Sequence, residues 1–91
     1  MTVRDNRSAN RFELTTDAGV AFVDYRRADG IVTMTHAEVP AALGGQGIGS
    51  QLAKGALDLV VADGEKVVPR CPFIAAYIKR HAEYQALLSL R

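Results

Sequence analysis

The stretch "IVTMTHAEVPAALGGQGIGSQLAKGALDLVVADGEKVVPR", residues 31–70, changes its hydrophobic period twice. Residues 31–39 are rich in β-branched side chains and predict a strand, which ends at Pro40 because proline cannot donate a backbone hydrogen bond. Apolar residues then recur every three or four positions, which predicts a helix over 47–62. Residues 66–70 predict another strand. Together these elements form a β-α-β unit with parallel strands and a right-handed crossover.

The residues on either side of this unit complete the fold. Residues 10–14 and 20–27 alternate between apolar and polar side chains and predict two strands, with turn residues between them. A tight Asp-Gly turn leads into the next strand, so the three strands form an antiparallel meander. Pro72 begins a second helix, whose apolar side is predicted to carry Phe73, Ile74, Tyr77, Ile78 and His81. Residues 83–90 either continue that helix or form a separate final turn. The predicted fold class is α+β (mixed α/β): a three-strand antiparallel meander, a β-α-β unit and a C-terminal helix.

Length and composition limit the possible classes of protein. The 91 residues, 48% hydrophobic and 23% charged, predict one globular domain over 10–91 after a polar N-terminal segment, 1–9. Arg4, Arg7 and Arg11 are expected to belong to a solvated tail. Eleven Lys and Arg against ten Asp and Glu leave the chain nearly neutral, which argues against nucleic-acid binding. No apolar run approaches the roughly 20 residues of a membrane span, so no membrane partner is expected.

Cysteine and histidine usage gives two further expectations. A single cysteine, Cys71, cannot form an internal disulfide, and the N-terminus carries no apolar signal segment, so a cytoplasmic location is expected. His36, His81 and Cys71 have no paired ligand spacing, and no metal site is predicted.

Four glycines lie within Gly44–Gly49, directly before the predicted helix. A helix N-terminus offers unpaired N–H groups to an anion, and glycine lets the backbone approach it closely. The phosphate loop of nucleotide hydrolases requires lysine where Ser50 stands. The dinucleotide fingerprint requires glycine at Ser50 or at Leu52, depending on its start. Neither a nucleotide hydrolase nor a dehydrogenase is therefore expected.

These six residues resemble the acyl-CoA pyrophosphate motif of the GNAT superfamily of N-acetyltransferases, Arg/Gln-x-x-Gly-x-Gly/Ala. Gly47 and Gly49 occupy its two small positions, between a strand and an amphipathic helix as in that family. Residues 36–84 resemble small single-domain members throughout, and with the meander the resemblance begins at about Arg11. It implies a minimal GNAT (acyl-CoA N-acyltransferase) fold with acetyl-CoA as co-substrate. Gly44 stands where the motif has Arg or Gln, so backbone N–H groups must hold more of the pyrophosphate.

The resemblance also implies which residues contact acetyl-CoA. Most belong to the glycine stretch, and the others lie near the ends of the two parallel strands or on the second helix. These residues are Val39, Gly44, Gly45, Gln46, Gly47, Ile48, Gly49, Ser50, Cys71 and Tyr77.

Three side chains are candidates for acetyl-transfer chemistry. Cys71 lies beside Arg70 at a helix start, which favours the thiolate; it is predicted as a nucleophile or as the acid for the departing CoA thiol. The alternative is a buried structural cysteine. Glu38 is the predicted general base, and His36, two residues before it on the same face of the strand, is a second candidate. A solvent-facing carboxylate and a packed histidine are the alternatives.

The predicted function is transfer of an acetyl group from acetyl-CoA to a primary amine, directly or through Cys71. The acceptor is left open among a protein lysine, a polyamine and a small amine, and the oligomeric state is also left open. CoA is expected in a narrow slot where the two parallel strands diverge. The alternative is a non-catalytic acyl-CoA-binding module that acts with a partner protein.

Overall fold

The structure is a computed structural model that describes residues 2–89. Two short 3-10 segments, Ala41–Leu43 and Ala82–Leu87, accompany its regular elements. In chain order these elements are β1 (Arg4–Asn6), β2 (Arg11–Thr16), β3 (Gly19–Ala28), β4 (Ile31–Glu38), α1 (Ile48–Ala62), β5 (Lys66–Pro69) and α2 (Pro72–Arg80). The predicted α+β class, with its meander, β-α-β unit and C-terminal helix, is confirmed.

The five strands form one sheet in the order β1-β2-β3-β4-β5. Strands β1 to β4 are antiparallel neighbours, and β5 pairs in parallel with β4, as the crossover through α1 requires. The β3–β4 turn has positive φ at Asp29 (54°) and Gly30 (75°), the conformation that a two-residue hairpin favours. The meander therefore has four strands, one more than predicted.

The additional strand corrects the expectation for the N-terminal arginines. Residues 4–6 pair with the free edge of β2, and a carboxylate buried on that strand, Glu13, draws the arginines in. Arg4 Nη2 lies 3.0 Å from Glu13 Oε1, and Arg11 Nε lies 2.6 Å from Glu13 Oε2. Arg7 pairs with Asp63 at 3.0 Å. The prediction of a tail is wrong, because residues 4–6 form a strand and the arginines are ion-paired, although the side chains of Arg4 and Arg7 stay 72% and 61% exposed.

The core lies on one face of the sheet, where both helices pack. The buried stripe of α1 includes Leu52, Leu57 and Val60, and α2 adds Ile74 and Ile78. These side chains meet the apolar positions of all the long strands. The opposite face, named here the outer face, carries the alternate strand positions, which stay partly or fully exposed apart from Glu13.

The C-terminal region differs from expectation in two details. Pro72 begins α2 as predicted, but Phe73, which was expected on its buried side, is 37% exposed. Residues 82–87 form a separate 3-10 segment rather than continuing the helix, and Leu88 bridges to Val67; residue 90 of the predicted segment lies outside the described residues. Neither helix within residues 2–89 is long and apolar enough to cross a membrane.

Candidate functional site

Strands β4 and β5 separate at Met34. Their parallel ladder runs from Ile31 opposite Lys66 to Met34 opposite Pro69 and then stops. The backbone N–H groups of Arg70 and Cys71 both donate to the Met34 carbonyl, at 2.9 and 3.0 Å. β4 continues to Glu38, whereas β5 ends at Pro69 and the backbone turns into α2. The two strands therefore form a fork that opens towards their carboxyl ends. Ligands of open α/β sheets collect at such openings.

A β-bulge lies in β4 at the mouth of this fork. Tyr25 is opposite Met34 and Asp24 is opposite His36, so Thr35 is an additional residue without a partner on β3. Its hydroxyl donates to the Asp24 carbonyl at 3.3 Å. A bulge reverses the alternation of side chains beyond it. The sequence carries a trace of this reversal, because its apolar residues shift from positions 32 and 34 before the bulge to positions 37 and 39 beyond it.

The reversal moves both polar candidates to the outer face. His36 and Glu38 share a face, as predicted, but they do not share it with Met34 and Val32, which are fully buried in the core. The two polar side chains are 59% and 61% exposed, and Nε2 of His36 lies 3.7 Å from Oε2 of Glu38. The histidine ring also approaches Phe22 edge-on, at 6.3 Å between centroids. Both side chains are therefore accessible from solvent.

The glycine stretch forms a loop with left-handed backbone at two positions. Gly45 has φ of 79° and Gly47, the N-cap of α1, has φ of 72°, a region that favours glycine. Gly44, by contrast, has φ of −60° and ψ of 141°, which any residue adopts. Gly45 and Gly47 are therefore required by the turn, whereas Gly44 is not.

The first turn of α1 presents free donors. Gln51 is the first residue of the helix whose N–H bonds back, to the Gly47 carbonyl at 3.1 Å. Within residues 2–89 the N–H groups of Ile48, Gly49 and Ser50 have no acceptor, and no side chain caps them. The first turn also contains no acidic residue. The positive end of the helix macrodipole is thus available to an anion.

The free N–H groups of residues 48–50 are named here the anion cradle. Gly49, within it, contacts the start of α2. A Cβ on Gly49 would lie 3.0 Å from Cζ of Phe73, so only glycine lets that ring pack against α1 without displacement. Cys71, the N-cap of α2, is 5% exposed and belongs to the core. The structure therefore brings the cradle and Cys71 to the same end of the sheet, on the helical face.

The remaining predicted cofactor residues take different positions. Ile48 is buried, Ser50 and Gln46 are exposed, and Gln46 borders a cleft of about 310 Å³ against the β2–β3 turn. Val39 packs partly against the core and lines a second cleft of about 330 Å³ on the outer side, together with Glu38, Phe22 and neighbouring residues. Phe22 was not a predicted site residue, although the alternation of its strand puts it on the face of Asp24.

Tyr77 belongs to an aromatic cluster with His81 and Tyr84. Its ring stacks on the ring of His81, with 3.9 Å between centroids, and its centroid lies 6.1 Å from that of Tyr84 in the 82–87 segment. Tyr84 donates to Asp58 of α1 at 2.6 Å. Burial raises the pKa of Tyr77, and burial together with this hydrogen bond raises the pKa of Tyr84. These aromatic residues close the core in this structure.

Several known proteins are similar to this chain in sequence. Residues 11–87 match the family model described as GCN5-related N-acetyl-transferase. Protein NATD1 of Gallus gallus is 43% identical over 61 residues, 67% of this chain and 56% of that protein. Protein NATD1 of Homo sapiens is also 43% identical over 61 residues, 67% of this chain and 54% of its own length. The chain thus spans about half the length of the curated relatives that it matches.

A solved structure supports the fold alone. The NMR structure of a Staphylococcus aureus protein described as GCN5-like superimposes with a TM-score of 0.71 at 24% sequence identity. The superposition covers 96% of this chain and 86% of the other.

Proposed function

Because the chain belongs to the GCN5-related N-acetyltransferase family, we propose that it transfers the acetyl group of acetyl-CoA to a primary amine. The anion cradle at the start of α1 carries this proposal. Its three free N–H groups, from Ile48 to Ser50, stand at a helix N-terminus without a competing carboxylate and beside the fork. That arrangement suits the pyrophosphate of CoA, whose pantetheine arm would then enter between β4 and β5.

The two faces of the sheet suit the two proton transfers of the reaction. The neutral amine attacks the thioester carbonyl carbon, the C–S bond breaks, and the acetyl group passes to nitrogen. The Glu38 carboxylate, with His36 beside it, is proposed to accept the proton that the amine loses on the exposed face. Cys71, on the helical face of the fork, is proposed to protonate the departing CoA thiolate.

The burial of Cys71 favours direct transfer over an acetylated cysteine. An acetyl group on Sγ would have to fit into a packed core, where side chains leave few voids, whereas proton donation needs only one contact between Sγ and the departing sulfur. Mass spectrometry after incubation with acetyl-CoA alone tests this order of events. Direct transfer predicts an unmodified Cys71, and stoichiometric acetylation of that residue would show the covalent route instead.

Binding and turnover test the proposal separately. Isothermal titration should show saturable binding of both CoA and acetyl-CoA, and its absence would refute any role in acyl-CoA chemistry. Thiol release with a panel of amines should then show turnover that Glu38→Gln lowers by about 10²-fold or more. Glu83→Gln, an exposed carboxylate on the 82–87 segment, is the matched control and should keep wild-type turnover. Binding without turnover on any amine would favour the non-catalytic acyl-CoA-binding module.

A further inference from the structure

The outer face carries a basin of about 280 Å³ between two arginines, Arg26 of β3 and Arg70 just beyond β5. Thr33, Ile31 and Val68 also line this arginine basin. The strand register explains how it forms. Arg26 is opposite Thr33, and Thr33 is opposite Val68, so the three residues form one row across adjacent strands, each about 4.8 Å from the next.

The two arginines of the basin form no ion pair within residues 2–89. Among residues 2–89, the guanidinium groups of Arg26 and Arg70 have neither an ion pair nor a hydrogen bond. One carboxylate, Asp29, also lines the basin but is bonded to neither of them. Two planar guanidinium groups beside the Thr33 hydroxyl make up a donor set suited to a carboxylate or a phosphate, which arginine binds with two parallel hydrogen bonds.

The position of the basin relates it to the proposed reaction. Thr33 directly precedes Met34, where the fork opens, and one residue of strand spans about 3.3 Å. An anionic group held by the basin would therefore keep an amine a few bonds away close to the opening. His36, the nearer of the two proton-accepting candidates, follows on the same exposed face.

Resting on the function proposed above, we propose that the acceptor is a compact anionic amine, whose carboxylate or phosphate group binds in the arginine basin. The same charges disfavour a polyamine, because two unpaired cations repel it. Arg26 and Arg70 are thus specificity residues that bind the acceptor at its non-reacting end. Carboxylate and phosphate acceptors share this chemistry, and the experiments below include one of each.

Binding of the acceptor is measurable without CoA. Backbone amide NMR spectra are recorded while glycine, aminomethylphosphonate or putrescine is added to the full chain. The two anionic amines should shift the amide signals of Thr33, Val68 and Arg70 saturably, whereas putrescine should not. The double variant Arg26→Ala, Arg70→Ala should weaken that binding at least tenfold, and Arg80→Ala, an exposed arginine on α2, should leave it unchanged. Equal binding by wild type and double variant would overturn the proposal.

Turnover provides the second test. The wild-type chain should acetylate the better of the two anionic amines with a higher kcat/KM than putrescine, and Arg26→Glu with Arg70→Glu should reverse that preference. Acetylation of putrescine in preference to both anionic amines would overturn the basin while leaving acetyl transfer intact. If CoA does not bind, the function proposed above fails, and the NMR titration still decides whether the basin binds anions.

Discussion

Replacement of Gly44 by arginine should tighten CoA binding. Gly44 is the position where the pyrophosphate motif of the family has Arg or Gln, and its backbone conformation, φ −60° and ψ 141°, accepts any side chain. A Cβ there would lie 3.3 Å from the Ala41 carbonyl oxygen, which requires a shift of a few tenths of an ångström. The substitution therefore adds a cation beside the cradle at little structural cost.

The size of the gain follows from the exposure of the position. A hydrogen bond to a charged group contributes about 1.5–3 kcal/mol when shielded, and an ion pair in contact with solvent contributes up to about 1 kcal/mol. Gly44 is exposed, so the smaller value applies. It corresponds to a roughly fivefold lower Kd for CoA. Gly44→Glu should raise Kd by a similar factor, and Gly44→Ala should change it little.

Isothermal titration of the three variants with CoA, at low and at high ionic strength, measures these effects. The differences between Gly44→Arg, Gly44→Ala and Gly44→Glu should shrink as salt screens the charges. If Gly44→Arg and Gly44→Glu bind CoA equally well at low salt, the pyrophosphate does not lie at the start of α1. A gain that persists in high salt would mean that arginine acts by packing rather than by charge.

Two further predictions concern stability. Arg27→Ala removes the partly buried guanidinium that lies 3.1 Å from Asp5 and 3.0 Å from Glu65. Urea unfolding should show that the free energy of unfolding falls by about 3 kcal/mol. A loss below about 1 kcal/mol would contradict a stabilising role for these two ion pairs. The hydrogen bond from Arg11 is the main reason that the pKa of Glu13 is lowered. The stability that this hydrogen bond contributes is therefore fully present above about pH 4.3, the pKa of glutamate in the unfolded chain, and is lost as pH falls through the lower pKa of the folded chain. Glu13→Gln should cost stability at neutral pH and converge on wild type in acid, whereas Glu83→Gln should follow wild type throughout; an acid-independent cost would contradict this assignment.

The β-α-β unit was predictable because each of its elements is determined by local sequence. Residues 31–39 have the composition of a strand, Pro40 ends it, and the three-and-four spacing after Gly47 can bury its apolar stripe only as a helix. Pro72 likewise determines the first turn of α2. The loop at Gly45 and Gly47 is also predictable from local sequence, since few other residues adopt a backbone with positive φ.

The features that were not predictable depend on contacts between distant residues. Strand β1 contains three polar residues and forms because Glu13, buried on β2, needs the cation of Arg4. The bulge at Thr35 results from how β4 pairs with β3: no glycine or proline marks it, and the shift of apolar residues between positions 34 and 37 does not by itself give its place. It changes the site more than any other feature, since without it His36 would point into the core.

The bulge and the fork together separate the groups that are assigned to the proposed reaction. The cradle and Cys71 lie with the helices, while His36, Glu38 and the arginine basin lie on the outer face, where neither helix packs. A ligand that enters the fork from the cradle would meet these outer groups only through the opening at Met34. Acceptor recognition is therefore expected on the sheet surface itself. Substitutions on the outer face should lower kcat/KM for the acceptor and leave CoA affinity unchanged, while substitutions in the glycine loop should change CoA affinity.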